Sequence, residues 1–359
     1  MKKLLLSIAL VAAAAVQAAN AASGKITIAV IGDWPYNQNL MDNAPLLINS
    51  VNADPEIRLV MHLGDIHSGS APCTSAGILP PIPSSNPGWN QAIYFLFQQF
   101  KRPVVYTPGD NEWSDCYKSK ALASGDPLKE LASLRSLFFA RPGKTLGLED
   151  KNVWSQSQYF DSSHPSDSQY AENFIWEDED VVFVTVNMPG SNNDKVPWAN
   201  GFENPAVQKK EVASRTAAAV RWLNKAFALA RLSYAKAVVI GLQADMWDSF
   251  AAAPGGDGLD GYTPFVQQLA TLCNRFGRPV LLLNGDSHEF KADRPLADPN
   301  SPTGQIHHTP AVPNLTRITV QGATSKPAEW LRVVINTRSP GVFSWKNIPY
   351  CKDPLASCF

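Results

Sequence analysis

Two spacings of apolar residues alternate along this chain. Residues 26–31 and 59–63 are short continuous apolar runs, the pattern of strands buried on both faces. Between them, 40–51 has helical spacing and ends before Asp54-Pro55. The stretch 89–100 predicts a helix with an aromatic face, and it leads into the strand-like "PVVYTPGDNEW". Farther on, 128–139 predicts a helix and "DVVFVTVNM" a strand. In 211–230, Val212, Val220, Leu223, Phe227 and Ala230 recur near helical spacing. "AKAVVIGLQADMW" is a strand with its exit, 264–276 a helix, and "PVLLLNGDSH" another strand. The segments "LTRITVQGAT", "WLRVVINT" and "GVFSWK" are expected to close the fold as antiparallel strands. Strands alternating with helices make the chain α/β. No internal repeat or domain linker interrupts it, so one domain is expected.

Residues 68–88 ("SGSAPCTSAGILPPIPSSNPG") carry no periodicity and predict a long loop. At the start, Lys2 and Lys3 precede an apolar run over 4–16, followed by the small-residue exit Ala19-Asn20-Ala21. That is the grammar of a secretory signal peptide, with cleavage expected after Ala21. The run is too short to span a bilayer, and no later segment is membrane-spanning in pattern. The expected organisation is a leader at 1–21, a domain at 22–345 and a tail at 346–359. The mature protein is expected to be exported, periplasmic or secreted.

Composition narrows the classes further. The formal net charge is −1 and no Lys/Arg run stands out, so a nucleic-acid-binding surface is not expected. Five cysteines fit an oxidising compartment. Cys351 and Cys358 flank a short loop they could close, whereas Cys73 and Cys116 would meet only if the segments before them meet. Cys273 lies in an apolar helical segment and is expected to be a buried thiol. No C-x-x-C pair suggests a zinc cluster.

The chemistry lies in a repeated device. Four apolar runs each end in Gly-Asp, at Asp33, Asp65, Asp110 and Asp286. One such pair is an ordinary turn. Four of them at the carboxyl ends of strands, where open α/β sheets bind ligands, form a constellation. Two carboxylates about 4 Å apart repel by roughly 4 kcal/mol at an effective dielectric near 20. Four in one pocket therefore call for cations.

The order strand-Gly-Asp, strand-Gly-Asp, strand-Pro-Gly-Asp-Asn-Glu, strand-Gln and strand-Gly-Asp-Ser-His resembles the calcineurin-like metallophosphoesterases, over about 26–334. The resemblance implies a four-layer α/β/β/α sandwich. It also implies two divalent metal ions and hydrolysis of phosphate mono- or diesters of small molecules by a metal-bound water. Carried over, it makes Asp33 a ligand of the first metal and Asp65 the bridge to the second. Asp110 stands where the family has an asparagine ligand, and Asn111 where it has a histidine that meets the phosphoryl or leaving group. Gln243 replaces a histidine ligand, Asp286 replaces the first histidine of Gly-His-x-His, and His288 matches the second.

The chain departs from the family in its histidines. Pro35 stands where a histidine usually follows the first aspartate, and only His288 keeps its place. Oxygen donors favour manganese, magnesium or calcium over iron or zinc. His67, two residues after Asp65, is a candidate ligand or acid, and Glu112 a candidate orienting group. Asn111 can donate a hydrogen bond but cannot protonate a leaving group. The missing histidines leave a rival expectation, a catalytically degenerate member that binds a ligand or partner. Trp34, Trp113 and Trp247 follow motifs and either wall a pocket or cover a sheet edge. Asp245 competes with Gln243 if the register there is shifted. His307 and His308 are expected to be exposed loop residues, and Asp257 and Asp260 turn formers.

Overall fold

Alternation within the strands decides the layering. In Val181–Thr185, Val181 and Phe183 join one apolar cluster while Val182 and Val184 join another. The same split recurs at Val239 against Val238 and Ile240, and at Leu281 and Leu283 against Leu282. A pleated strand sends successive side chains to opposite faces, so this sheet is covered on both. Fully burying each such side chain contributes roughly 1.5–3 kcal/mol.

The computed structural model describes residues 24–73 and 88–351. Twelve strands are defined there: β1 (Lys25–Ile31), β2 (Ile57–His62), β3 (Val104–Tyr106), β4 (Trp154–Ser155), β5 (Phe174–Asp178), β6 (Val181–Thr185), β7 (Ala237–Gly241), β8 (Val280–Asn284), β9 (Lys291–Asp293), β10 (Leu315–Thr319), β11 (Glu329–Asn336) and β12 (Phe343–Pro349). They form a five-stranded sheet, ordered β12-β11-β1-β2-β3, and a seven-stranded sheet, ordered β4-β5-β6-β7-β8-β10-β9. One cluster joins the two sheets through Ile28, Val30, Met61, Phe183, Val239 and Leu283, and takes in Leu47, Ile48, Ile93 and Phe97 from helices Ala44–Asn52 and Trp89–Phe97. The second cluster lies between the larger sheet and helices Pro205–Leu232 and Thr263–Phe276, which supply Trp222, Phe227, Phe265 and Leu269. This is the α/β/β/α sandwich.

Local chemistry sets the helix ends. Asn204 caps Pro205–Leu232 by accepting from Val207 N, and Pro205 occupies the first turn. The helix therefore begins six residues before the apolar spacing that announces it, and its opening turns are polar. Predicted helix 40–51 is instead two helices, Gln38–Asp42 and Ala44–Asn52, because Pro45 fits only a first turn.

Two further expectations change, and strands that the sequence pattern did not announce join the larger sheet. The strand β10 lies parallel to β8 and antiparallel only to β9. The short strands β4 and β9 and the hairpin of β5 with β6 extend the larger sheet. His307 is buried rather than exposed: its ring meets Thr263 Oγ1 at 3.0 Å and Met246 O at 2.7 Å.

Cys73 and Cys116 form a disulfide and Cys273 is a buried free thiol. Most of the 68–88 loop, the leader and Cys358 lie outside the described residues. No helix among the described residues is long and apolar enough to cross a membrane.

Candidate metal centre

β1, β2 and β3 run parallel, as do β6, β7 and β8. Their carboxyl ends share one edge, and the motifs exit there. Asp33 follows β1, Asp65 follows β2, Asp110 follows β3, Gln243 follows β7 and Asp286 follows β8. Asp33, Asp65, Asp286 and His288 all have left-handed backbone, with φ between 52° and 76°. Aspartate tolerates that region better than most residues. Four such residues on one rim are the strain that functional sites hold. At Gly109 a Cβ would run into Asp65 Oδ1, so the chain can pass the shared carboxylate only as glycine.

The exits bring six side chains together. Asp33, Asp65 and His288 place one donor atom each within 4.8 Å of one another, and so do Asp65, Asp110 and Asp286. Asp65 belongs to both groups. Gln243 lies among them, donating from Nε2 to Asp110 Oδ1 at 2.9 Å and accepting from Gly190 N at 2.5 Å. Asn111 Nδ2 donates to Asp65 Oδ2 at 2.9 Å and to the His67 carbonyl at 3.1 Å. His67 is placed differently. Its Nδ1 meets Ser68 O at 3.0 Å, its buried Nε2 has no partner among the described residues, and it belongs to neither donor group.

The electrostatics are those of acids crowded away from water. Burial pushes the Asp33 carboxyl up to about 6, against the pull of His288. Burial, and then the charge of Asp110, holds Asp65 and Asp286 well above the carboxylate range. Burial also lifts Glu112 to about 7 and drops His67 to about 4. Glu112 ties two motifs together, accepting from Tyr106 Oη and Gly109 N at 2.7 Å and from Asp65 N at 3.2 Å.

The donor set fits cations. Asp33 Oδ2 is buried with no partner among the described residues, which is costly for a carboxylate unless a proton or an ion sits against it. Four carboxylates with one imidazole suit hard or borderline ions.

Around this centre lie Tyr36 and the 191–194 turn, which motif reading passes over, and Asp245 and three tryptophans, which it singles out. Tyr36 Oη is 3.1 Å from Asp65 Oδ2 and 2.9 Å from His288 Nε2. Residues Ser191 to Asp194 are four consecutive left-handed residues, a turn that L-residues rarely form. Ser191 Oγ donates to Asp115 Oδ1 at 2.7 Å and lies 3.1 Å from Asp110 Oδ2. Asn and Asp in "GSNND" are the one local signal for it. Asp245 N donates to Asp286 Oδ2 at 2.9 Å, while its own carboxylate pairs with buried Arg317. Trp34, Trp113 and Trp247 are all buried.

A cavity of about 190 Å³ opens from Asp110 and Asp286 and is lined by Asp115, Lys118, Lys120, Ser191, Asp248 and Asp257. Burial works against the Lys118 charge, but Asp115 and Asp110 outweigh it and raise its pKa. A larger groove of about 880 Å³ runs beside Val212 and Pro264 and contains none of the motif residues.

No curated protein matches the sequence. Among solved structures, the chain is similar to GAP50, the anchor in the inner membrane complex of Plasmodium, at 8% identity and a TM-score of 0.40, covering 92% of this chain and 90% of that one. The family model for calcineurin-like phosphoesterase matches residues 26–212, more than half of the sequence and the first three Gly-Asp motifs. The chain belongs to the calcineurin-like phosphoesterase family.

Proposed function

We propose that this protein is an exported, metal-dependent phosphoesterase that hydrolyses small phosphate mono- or diesters with good leaving groups. The observation that carries the reading is the pair of donor groups sharing Asp65. Asp33, Asp65 and His288 would hold one ion, and Asp65, Asp110 and Asp286 the other. Divalent ions, when bound, neutralise the carboxylates, polarise a phosphoryl oxygen as Lewis acids and make water more acidic. The chain's own residues do the rest. Gln243 steadies Asp110, Glu112 steadies the Asp65 loop, and Lys118 and Lys120 bring positive charge to the rim of the small cavity.

Proton delivery decides the substrate class. Asn111 offers a phosphoryl oxygen a hydrogen bond from Nδ2 but has no proton to give. His67 is held neutral by burial, so near neutral pH it carries no extra proton. Loss of a general acid typically costs about 10²–10⁴-fold, and the cost falls on poor leaving groups. Export is supported by the Lys2-Lys3 leader pattern and by the Cys73–Cys116 disulfide, which belongs in an oxidising compartment.

The test is a panel of aryl and alkyl phosphate mono- and diesters with Mn²⁺, Mg²⁺, Ca²⁺, Zn²⁺ or iron. Turnover is expected to fall steeply from aryl to alkyl esters and to be lost in Asp65→Asn. Absence of turnover with every metal would leave the degenerate binding protein as the better reading.

A further inference from the structure

Two lysines reach the small cavity beside the second donor group, and they are held differently. Lys118 is mostly buried; its Nζ donates to Ser191 Oγ at 2.7 Å and lies 2.8 Å from Asp115 Oδ2. Lys120 is half exposed, and its Nζ is 3.4 Å from the same Asp115 oxygen, longer than an ordinary N–H···O bond. Asp115 is thus shared, and the Lys120 charge is only partly matched. Lys120 lines the cavity together with Asp110 and Asp286. Its ammonium also comes up to Asn111. A Cβ on Gly69 would collide with Asn111 Oδ1 and lie 3.0 Å from Lys120 Nζ, so both groups close on the space that glycine leaves. The Cys73–Cys116 disulfide and a 2.7 Å bond from Cys73 N to Ser124 Oγ tie the Gly69 segment to the one that carries Lys120.

We propose that Lys120 is the specificity-determining contact for a dianionic phosphoryl group, selecting phosphate monoesters over diesters. The inference rests on the phosphoesterase reading above. Asn111 stands at the motif position that resembles the family's phosphoryl contact, and Lys120 sets a positive charge beside it. At neutral pH a monoester phosphoryl group carries close to two negative charges, because its second proton leaves near pH 6. A diester carries one. The ammonium meets the additional charge with a charge-assisted hydrogen bond, whereas the second ester group of a diester removes that charge and takes up the space. Lys120 donates a hydrogen bond and gives up no proton, so the demand for good leaving groups stands.

The probes are 4-nitrophenyl phosphate and methyl 4-nitrophenyl phosphate, which share a leaving group and differ in phosphoryl charge. Wild type, Lys120→Gln and Lys120→Arg are compared with Mn²⁺ bound, and calorimetry follows the binding of inorganic phosphate and of dimethyl phosphate. The wild type is expected to prefer the monoester. Lys120→Gln should lose about ten- to a hundredfold in kcat/KM on the monoester, the range of a hydrogen bond to a charged group, with the diester little changed. Phosphate affinity should fall in parallel, dimethyl phosphate affinity should stay, and Lys120→Arg should restore most of the loss. Equal losses on both esters, or an unchanged ratio with unchanged phosphate affinity, would overturn the role of Lys120 and leave the phosphoesterase reading intact. Absence of turnover in the wild type would overturn that reading instead. Phosphate affinity then decides for Lys120: a fall in Lys120→Gln keeps it as the anion contact, and no fall removes it as well.

Discussion

Gly190 shows how little room the second donor group has. A Cβ there would lie 2.8 Å from both Asp110 Oδ2 and Asp286 Oδ1. Its own N–H is committed to Gln243. Gly190→Ala is therefore expected to push two donor carboxylates apart and weaken metal binding about tenfold or more, an effect near 1.4 kcal/mol. Calorimetry beside a thermal melt checks this; unchanged affinity would show that the carboxylates do not act as ligands there. The residues of this rim differ in how visible they are in the sequence. Asp33, Asp65, Asp110 and Asp286 announce themselves through Gly-Asp after an apolar run. Tyr36 does not: in "GDWPY" it is one aromatic after another, and only the turn of the loop swings its hydroxyl over Asp65. His67 has the right spacing from Asp65 for a ligand, but its Nδ1 meets Ser68 O.

The turn at Gly190–Asp194 places Gly190 and Ser191 against the centre, and its neighbours hold it in shape. Asn193 Nδ2 donates to Thr216 Oγ1 at 2.8 Å and to Gly261 O at 3.0 Å, while Asn193 Oδ1 accepts from buried Arg215. Asn192 Oδ1 accepts from Gly261 N at 2.7 Å. Asn193→Ala should lose about 2–4 kcal/mol, from left-handed backbone on a less tolerant residue and from unpaired buried groups. A marked fall in melting temperature is the expected reading; an unchanged one would mean that the turn is not held by these bonds. Strands and helices differ in legibility too. The buried parallel strands are plain because a sheet covered on both faces needs continuous apolar residues. The direction of β10 is not, since pairing with β8 is a long-range fact that five residues cannot encode. β4, two residues long, has no period to detect.

Across the molecule the crowded acids couple stability to protons and metal. Asp33 is lifted to about 6, Asp115 to about 6 and Glu112 to about 7, in each case chiefly by burial. Unfolded, such groups titrate near 4. Between those limits the metal-free folded chain binds more protons than the unfolded chain. Its stability is therefore greatest below the window and falls as pH rises through it. Metal-stripped protein should melt at a higher temperature near pH 5 than near pH 7.5, and added Mn²⁺ should raise the melting temperature more at the higher pH. A stripped protein that gains stability on going to pH 7.5 would contradict the electrostatic picture.

The four-layer fold, the convergence of the motifs and the phosphoesterase reading all meet at Asp65, the one carboxylate common to both donor groups. Calorimetric titration of metal-stripped protein with Mn²⁺, beside Asp65→Asn, puts that residue to the test. Two filled sites in the wild type, both weakened in the variant while its fold is retained, is the expected result. No specific binding in the wild type, or binding indifferent to the substitution, would contradict a shared metal centre and leave the scaffold without the chemistry assigned to it.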